Sequence, residues 1–145
     1  MKSYYLDTSA LVKLYHQEKG TREVEDIFST EDATITISEI AVVELYSALY
    51  KLYRMQEISK DAVEASIKSF EEDCKYRFSI NPANADEIYK AREIIKRYGE
   101  EESVRTLDAI QLAVALDNEN TVIFVSADAV LNGIARKEGL EMVVL

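Results

Sequence analysis

The chain is poor in several of the residues that most often disclose a function. Among 145 residues it has one cysteine, one histidine, one proline and four glycines. A lone Cys74 cannot form an intramolecular disulfide, which points to a reducing, cytoplasmic compartment. A single histidine, His16, excludes a histidine-based triad and a histidine-rich zinc site, and it reads as an exposed residue at a helix end. So little Gly and Pro, beside 48% hydrophobic residues, excludes a disordered or fibrous chain. No apolar run approaches the ~18 residues of a membrane span. Asp7 interrupts the short apolar stretch of MKSYYLDTSALVKLY, so that segment does not read as a signal peptide. Basic residues are scarce as well: 17 Lys and Arg stand against 27 Asp and Glu, a formal charge of −10. Binding nucleic acid over a broad surface runs on Lys and Arg, so as a global sum this charge argues against it.

What is present is one domain's worth of alternating pattern. A chain of this length buries roughly two thirds of its unfolded surface, enough for a single full core. Short β-branched or aromatic runs predict strands at Ser3 to Leu6, Thr34 to Ile37, Phe78 to Ile80, Thr121 to Val125 and Met142 to Leu145. Helical patterns lie between them: Ser9 to Gln17, Thr21 to Ser29, Ser38 to Met55, Ser59 to Lys75, Ala83 to Tyr98, Thr106 to Asn118 and Asp128 to Lys137. Strands alternating with helices predict an α/β fold, a small and mostly parallel sheet with helices on both faces. No repeat or low-complexity segment marks a boundary, so residues 1–145 read as a single domain.

Several boundaries have a local cause. Ser38 is placed to cap the helix opened by Glu39, and Thr106 and Ser126 stand in equivalent positions before two later helices. Gly139-Leu140 after an apolar helix predicts a Schellman stop. Pro82 precedes a helix, where its missing N–H costs little. Gly99 to Ser103 reads as a charged connection.

Most of the acids are solvated surface charge; the informative ones sit where such charge is not expected. Asp7 ends the first strand and opens Asp-Thr-Ser into a helix. In open α/β sheets ligands bind at the carboxyl ends of the strands, so Asp7 is either a site residue or a helix cap. Asp128 repeats that arrangement two residues beyond another predicted strand, where the helix macrodipole alone would accommodate it. Asp108 shares a helical face with Leu112 and Ala115, and Glu44 borders the stripe of Ala41, Leu45, Ala48 and Leu52. An inward carboxylate needs a partner or a proton. Lys51 is in reach of Glu44 and Arg105 of Asp108, so simple ion pairs are one reading of these two. The other is joint: four carboxylates converging on one pocket repel unless a divalent cation sits among them. Hard oxygen ligands without Cys or His suit Mg²⁺ or Mn²⁺.

The segments YYLDTSALVKLY, AVVELYSALY, RTLDAIQLAVAL and VIFVSADAVLNGIARKEGLEMVVL, in that order, resemble the PIN domain, most nearly the VapC-type toxin ribonucleases. The resemblance spans essentially the whole chain, and its first and third segments are the more specific. It implies a PIN-like three-layer α/β/α fold and a metal-dependent ribonuclease, usually the toxin of a toxin–antitoxin pair. By position the acidic cluster of the family falls on Asp7, Glu44, Asp108 and Asp128, as metal ligands and catalytic residues around Mg²⁺ or Mn²⁺. The hydroxyl of the first motif falls on Thr8 or Ser9, and Ser126 stands where a hydroxyl precedes the last acid. The last motif reads Ser-Ala-Asp where Thr-x-Asp is frequent, which keeps both hydroxyl and acid. The chemistry implied is in-line attack of a metal-activated water on an RNA phosphodiester, with one metal or two and with Asp7 or Glu44 accepting a proton.

Other features divide between two readings. Lys13 and Arg105 either hold RNA phosphates or are solvated. Tyr46, Tyr50 and Tyr53, beside the Leu45, Leu49 and Leu52 stripe, either pack in the core or form a homodimer or antitoxin-binding surface. Cys74 reads as structural. A phosphoacceptor receiver domain wants an acidic pair at its first strand and a Lys after its last, whereas this chain reads Leu-Asp-Thr and offers no such Lys. A haloacid-dehalogenase-type phosphatase wants Asp-x-Asp, and here the third residue is Ser9. A non-catalytic PIN-like binding module would not need inward acids at positions 44 and 108. Taken by position, then, the negative charge bounds how RNA is held without excluding it: weak non-specific binding, a shallow salt slope and a partner that is basic.

Overall fold

The computed structural model describes residues 1–120 and 122–145. Five strands form one parallel sheet: β1 (Lys2–Leu6), β2 (Ala33–Ser38), β3 (Phe78–Asn81), β4 (Ile123–Ser126) and β5 (Glu141–Val144), in the order β3-β2-β1-β4-β5. Each expected strand is present within a residue or two. Thr121, where the fourth was expected to begin, lies outside the described residues. The chain starts at the centre of the sheet, builds outward through β2 and β3, then returns to place β4 on the other side of β1. That reversal leaves a crevice at the carboxyl ends of β1 and β4, the place where such sheets bind ligands.

Side chains alternate across the sheet with the period of two that a strand imposes. Tyr4 and Leu6 join Ile35, Ile37 and Val125 in a core beneath α1 (Thr8–Leu11), α2 (Thr21–Phe28), α3 (Glu39–Arg54) and α4 (Lys60–Tyr76). Tyr5 and Phe124 face the opposite way, stacked at 5.8 Å, into a core formed with α5 (Ala85–Tyr98), α6 (Thr106–Leu116) and α7 (Ala129–Lys137). The result is the expected three-layer α/β/α arrangement. No helix among the described residues is long and apolar enough to cross a membrane.

Four local expectations need correction. The helix expected over Ser9 to Gln17 stops at Leu11 and tightens into a 3-10 turn, Val12–Leu14. The tighter turn carries Lys13 inward to Glu18. Gly20, at φ 91°, then reverses the chain, where a side-chain Cβ would stand 3.2 Å from the Lys13 stem. His16 lies beyond that turn and is half-buried, not an exposed helix end. Thr106 is not a cap: Arg105 holds that position without a side-chain bond, and Thr106 is the first helical residue. Ser126 is not the cap of α7 either, because Asp128 takes that role by accepting from Leu131 N at 2.9 Å. Ser38 does cap α3, accepting from Ala41 N at 3.0 Å. Gly139 and Leu140 close α7 with bonds to Arg136 O and Ala135 O, the paired bonds of a Schellman stop, with Gly139 at φ 89°.

Candidate active site

Asp7 lies at the carboxyl end of β1 and is 3% exposed. Its backbone N–H still bonds Val125 O of β4, so the two central strands set its position. Three donors hold the carboxylate. Ser9 Oγ (2.6 Å) and Ala10 N (2.9 Å) donate to Oδ1, and Ser126 Oγ (2.5 Å) donates to Oδ2. Asp7 is therefore a helix cap and, at the same time, a buried acid at the sheet's crevice. Burial pushes its pKa up to about 6, against the pull of those three hydrogen bonds, and the charge of Asp108 adds to the rise.

Asp108 and Asp128 stand beside it. Asp108, in the first turn of α6, is half-buried. Its pKa is raised chiefly by burial, then by the charge of Asp128 and more weakly by that of Glu44, while Arg105 pulls it back. Arg105 Nε lies 3.4 Å from Asp108 Oδ2, so this expected ion pair is present, with the Arg105 side chain 82% exposed. Asp128 spends Oδ1 on its capping bond.

Glu44, on α3, makes no ion pair with Lys51. Its Oε1 instead accepts from Thr8 Oγ1 at 2.8 Å and from Gln111 Nε2 at 3.0 Å. Gln111, fully buried on α6, also donates to Thr8 Oγ1 (2.8 Å), and its Oε1 accepts from Tyr5 OH (2.7 Å) and Ser38 Oγ (3.1 Å). Burial holds the Tyr5 phenol well above its ordinary pKa, so it stays protonated and donates to Gln111.

Asp7, Glu44, Asp108 and Asp128 thus share one electrostatic neighbourhood at the sheet's crevice. Yet among the described residues no three Asp, Glu, His or Cys side chains gather closely enough to clasp one ion directly. The donor chemistry fits a small hard cation all the same. Mg²⁺ keeps several waters and needs only one or two direct carboxylates, so a loose ring of acids suits it where a tight cage would not.

Of the other expected site residues, Thr8, Ser9 and Ser126 all lie here, each hydroxyl committed to a carboxylate of the cluster. Lys13 does not face the cluster as a free cation. Its side chain is 9% exposed and paired with Glu18 at 2.9 Å. Sequence reading passed over two residues. Gln111 is the lone amide in a helix that is apolar and buried on every side from Ala109 to Ala115. Such an amide must be hydrogen-bonded, and that was a usable signal. Asn132 is 4% exposed and donates to Ser126 O at 2.9 Å, with its Oδ1 unpartnered among the described residues. Its pattern in VLNGI carried no comparable signal.

A parallel α/β sheet with an acid buried at its switch point, and three more carboxylates around it, belongs to the class of open α/β folds that carry their sites at strand ends. Within that class the family is explicit: the model of the PIN domain matches residues 4–137, and the chain belongs to the PIN domain family. No curated protein matches it in sequence. Among solved structures it resembles VapC20 of Mycobacterium tuberculosis, a sarcin–ricin loop cleaving toxin (16% identity, TM-score 0.73, 98% of this chain and 99% of that one). It also resembles VapBC2 of Rickettsia felis bound to a DNA fragment from its promoter (16%, 0.70, 99% and 98%). A third is VapBC of Salmonella typhimurium bound to DNA (16%, 0.67, 99% and 98%). At such identities the likeness is one of fold.

Proposed function

We propose that this chain is a divalent-metal-dependent ribonuclease, the toxin of a toxin–antitoxin pair, acting in the cytoplasm. The observation that carries the reading is Asp7, buried at the switch point in the field of Asp108, with Asp128 and Glu44 adjoining. Burying an acid there without a cation is costly, and a protein keeps such an acid where a cation is to be held. Asp7, Glu44, Asp108 and Asp128 would hold the ion, Mg²⁺ or Mn²⁺. Once bound, it supplies positive charge for the phosphoryl oxygens and eases deprotonation of a water.

The remaining work falls to the chain's own residues. Ser9, Ser126 and Ala10 N–H keep Asp7 in one orientation, which lets it act without reorganising. Glu44 has Oε1 tied down, and its Oε2 has no bond partner among the described residues, so it is free to take the proton of an attacking water. As the water oxygen bonds phosphorus, one ester P–O bond breaks on the opposite side. Arg105, extended into solvent beside Asp108, would hold an RNA phosphate.

The likeness to a cleaving toxin and to VapBC complexes supports the nuclease reading and an antitoxin partner. Membership of the PIN family removes the receiver-like alternative. A non-catalytic PIN module remains the contrast for experiment. Purified chain with Mn²⁺ or Mg²⁺ is expected to cleave a labelled RNA, and Asp7→Ala and Asp108→Ala to abolish cleavage. Activity retained in either variant, or lost in none of the metal-free controls, overturns the reading.

A further inference from the structure

The hydrogen bonds around Gln111 run in one direction only. Glu44 Oε1 is a carboxylate oxygen and can only accept, so the Gln111 amide must present Nε2 to it and Oε1 to the far side. Thr8 Oγ1 accepts the second Nε2 proton, which commits its own proton to Glu44. Ser38 Oγ accepts from Ala41 N at the start of α3, so its proton goes to Gln111 Oε1, as does that of Tyr5. Both donors and both acceptor positions of the buried amide are filled, and every arrow leads toward one oxygen of Glu44. The partners come from β1, the start of α1, the end of β2 and α3, and all meet Gln111 of α6 at this point.

We propose that Gln111 is a positioning residue: it locks Glu44 Oε1 through its Nε2 and through Thr8, and so turns Glu44 Oε2 toward the cation and substrate. Gln111 itself touches neither. Buried donors aimed at one carboxylate oxygen restrict its rotation. A carboxylate free to swing would lose part of its cation affinity and its aim at the reacting water. The inference rests on the nuclease reading for what Glu44 does, but it is testable on cation binding alone.

The test is a double-mutant cycle on Mn²⁺ affinity, read by the paramagnetic resonance of free Mn²⁺, with RNA cleavage measured in parallel. Gln111→Met keeps length and burial and removes both ends of the amide. Expected is a roughly 10-fold weaker Mn²⁺ affinity, the lower edge of what loss of an outer-shell partner costs. In a Glu44→Gln background the same substitution is expected to change affinity less than twofold, because the residue it acts through is already altered. Cleavage by Gln111→Met should show a lower kcat with KM for RNA little changed. Unchanged Mn²⁺ affinity in Gln111→Met, or an equal loss in both backgrounds, overturns the proposal, since a merely structural role would weaken both alike. If Gln111→Met does not fold, Gln111→Asn carries the same cycle: it keeps an amide in the core but is too short to hold the 3.0 Å bond to Glu44. A wild type that binds Mn²⁺ and shows the coupling but cleaves no RNA overturns the nuclease reading alone; a wild type that binds no Mn²⁺ overturns both.

Discussion

The hydroxyls of Ser9 and Ser126 stand 3.4 Å apart, from segments 117 residues distant, with the carboxylate of Asp7 gripped by both. Each has a single proton and spends it on Asp7, one per oxygen. The contact between the two serines is therefore packing, not a hydrogen bond. Each oxygen also accepts a backbone N–H, from Ala127 and Asp128 respectively. The turn after β4 is thus fastened to the turn after β1 through the acid they share.

That arrangement sets the effect of Ser126→Ala. The substitution takes the donor from Asp7 Oδ2 and the acceptor from Asp128 N–H. Leaving buried groups unpaired costs about 1–3 kcal/mol, and urea denaturation should register it. Ser126→Thr, which keeps the hydroxyl, should recover most of the loss and most of the RNA cleavage. Equal stability of Ser126→Ala and wild type would show that the bond carries no weight.

The pKa of Asp7 makes the metal-free protein pH-sensitive, with a definite sign. Its folded value, about 6, lies above the ordinary 3.8. Between these values the folded state holds more protons than the unfolded one, so stability falls as pH rises through that window and levels off above it. The full penalty is about 3 kcal/mol. Asp7→Asn removes the ionisation. Its stability relative to wild type in chelator should grow by about 2 kcal/mol from pH 4.5 to 7.5, while stabilisation by Mn²⁺ disappears. The measurement is paired urea titrations at the two pH values, and a difference independent of pH would refute the assignment.

How far the sequence discloses this molecule depends on the range of the interaction involved. The β-branched runs and apolar stripes are local, so strands and long helices are legible to within a residue or two. Asp7 and Asp128 are legible because a strand end followed by a helix fixes where they lie. Caps are less so: Thr106 and Ser126 look like caps by type, yet Asp128 does the capping, and a distant Asp7 claims Ser126. The break after Leu11 answers to Lys13 reaching Glu18 and to the close approach at Gly20, neither of which is encoded in helical periodicity. Gln111 is intermediate, since its burial was readable but its partners, 67 to 106 residues away, were not.

Arg105 separates substrate binding from chemistry. Its side chain is 82% exposed, so its ion pair with Asp108 contributes little to stability. If it holds an RNA phosphate, Arg105→Ala should raise KM about 10-fold, leave kcat within twofold and reduce the slope of log affinity against log salt by about 1. The same substitution lifts one restraint on the raised pKa of Asp108 and should shift the acid limb of activity to higher pH. An unchanged salt slope would place Arg105 outside the RNA path.

The tyrosines of α3 divide, and the division bears on assembly. Tyr46 is half-buried, packs edge-on to Phe70 and donates to Glu71, so core packing accounts for it. Tyr50 and Tyr53 are 47% and 43% exposed, with Val43 on the same helix at 69%. They border a groove of about 260 Å³ completed by Lys60, Val63 and Glu64 of α4. Exposed aromatic side chains rimmed by charge are the composition of an association surface. Of the two occupants open to this face, a second copy of the chain or an antitoxin, the first is the one that gel filtration tests. Wild type should elute as a dimer at micromolar concentration and Tyr50→Glu as a monomer, because the new carboxylate would have to be desolvated at the contact. The variant's thermal melt in the monomeric state should stay close to that of wild type diluted below its dissociation constant, since Tyr50 is half in solvent already. A Tyr50→Glu protein that still elutes as a dimer would move the interface off α3.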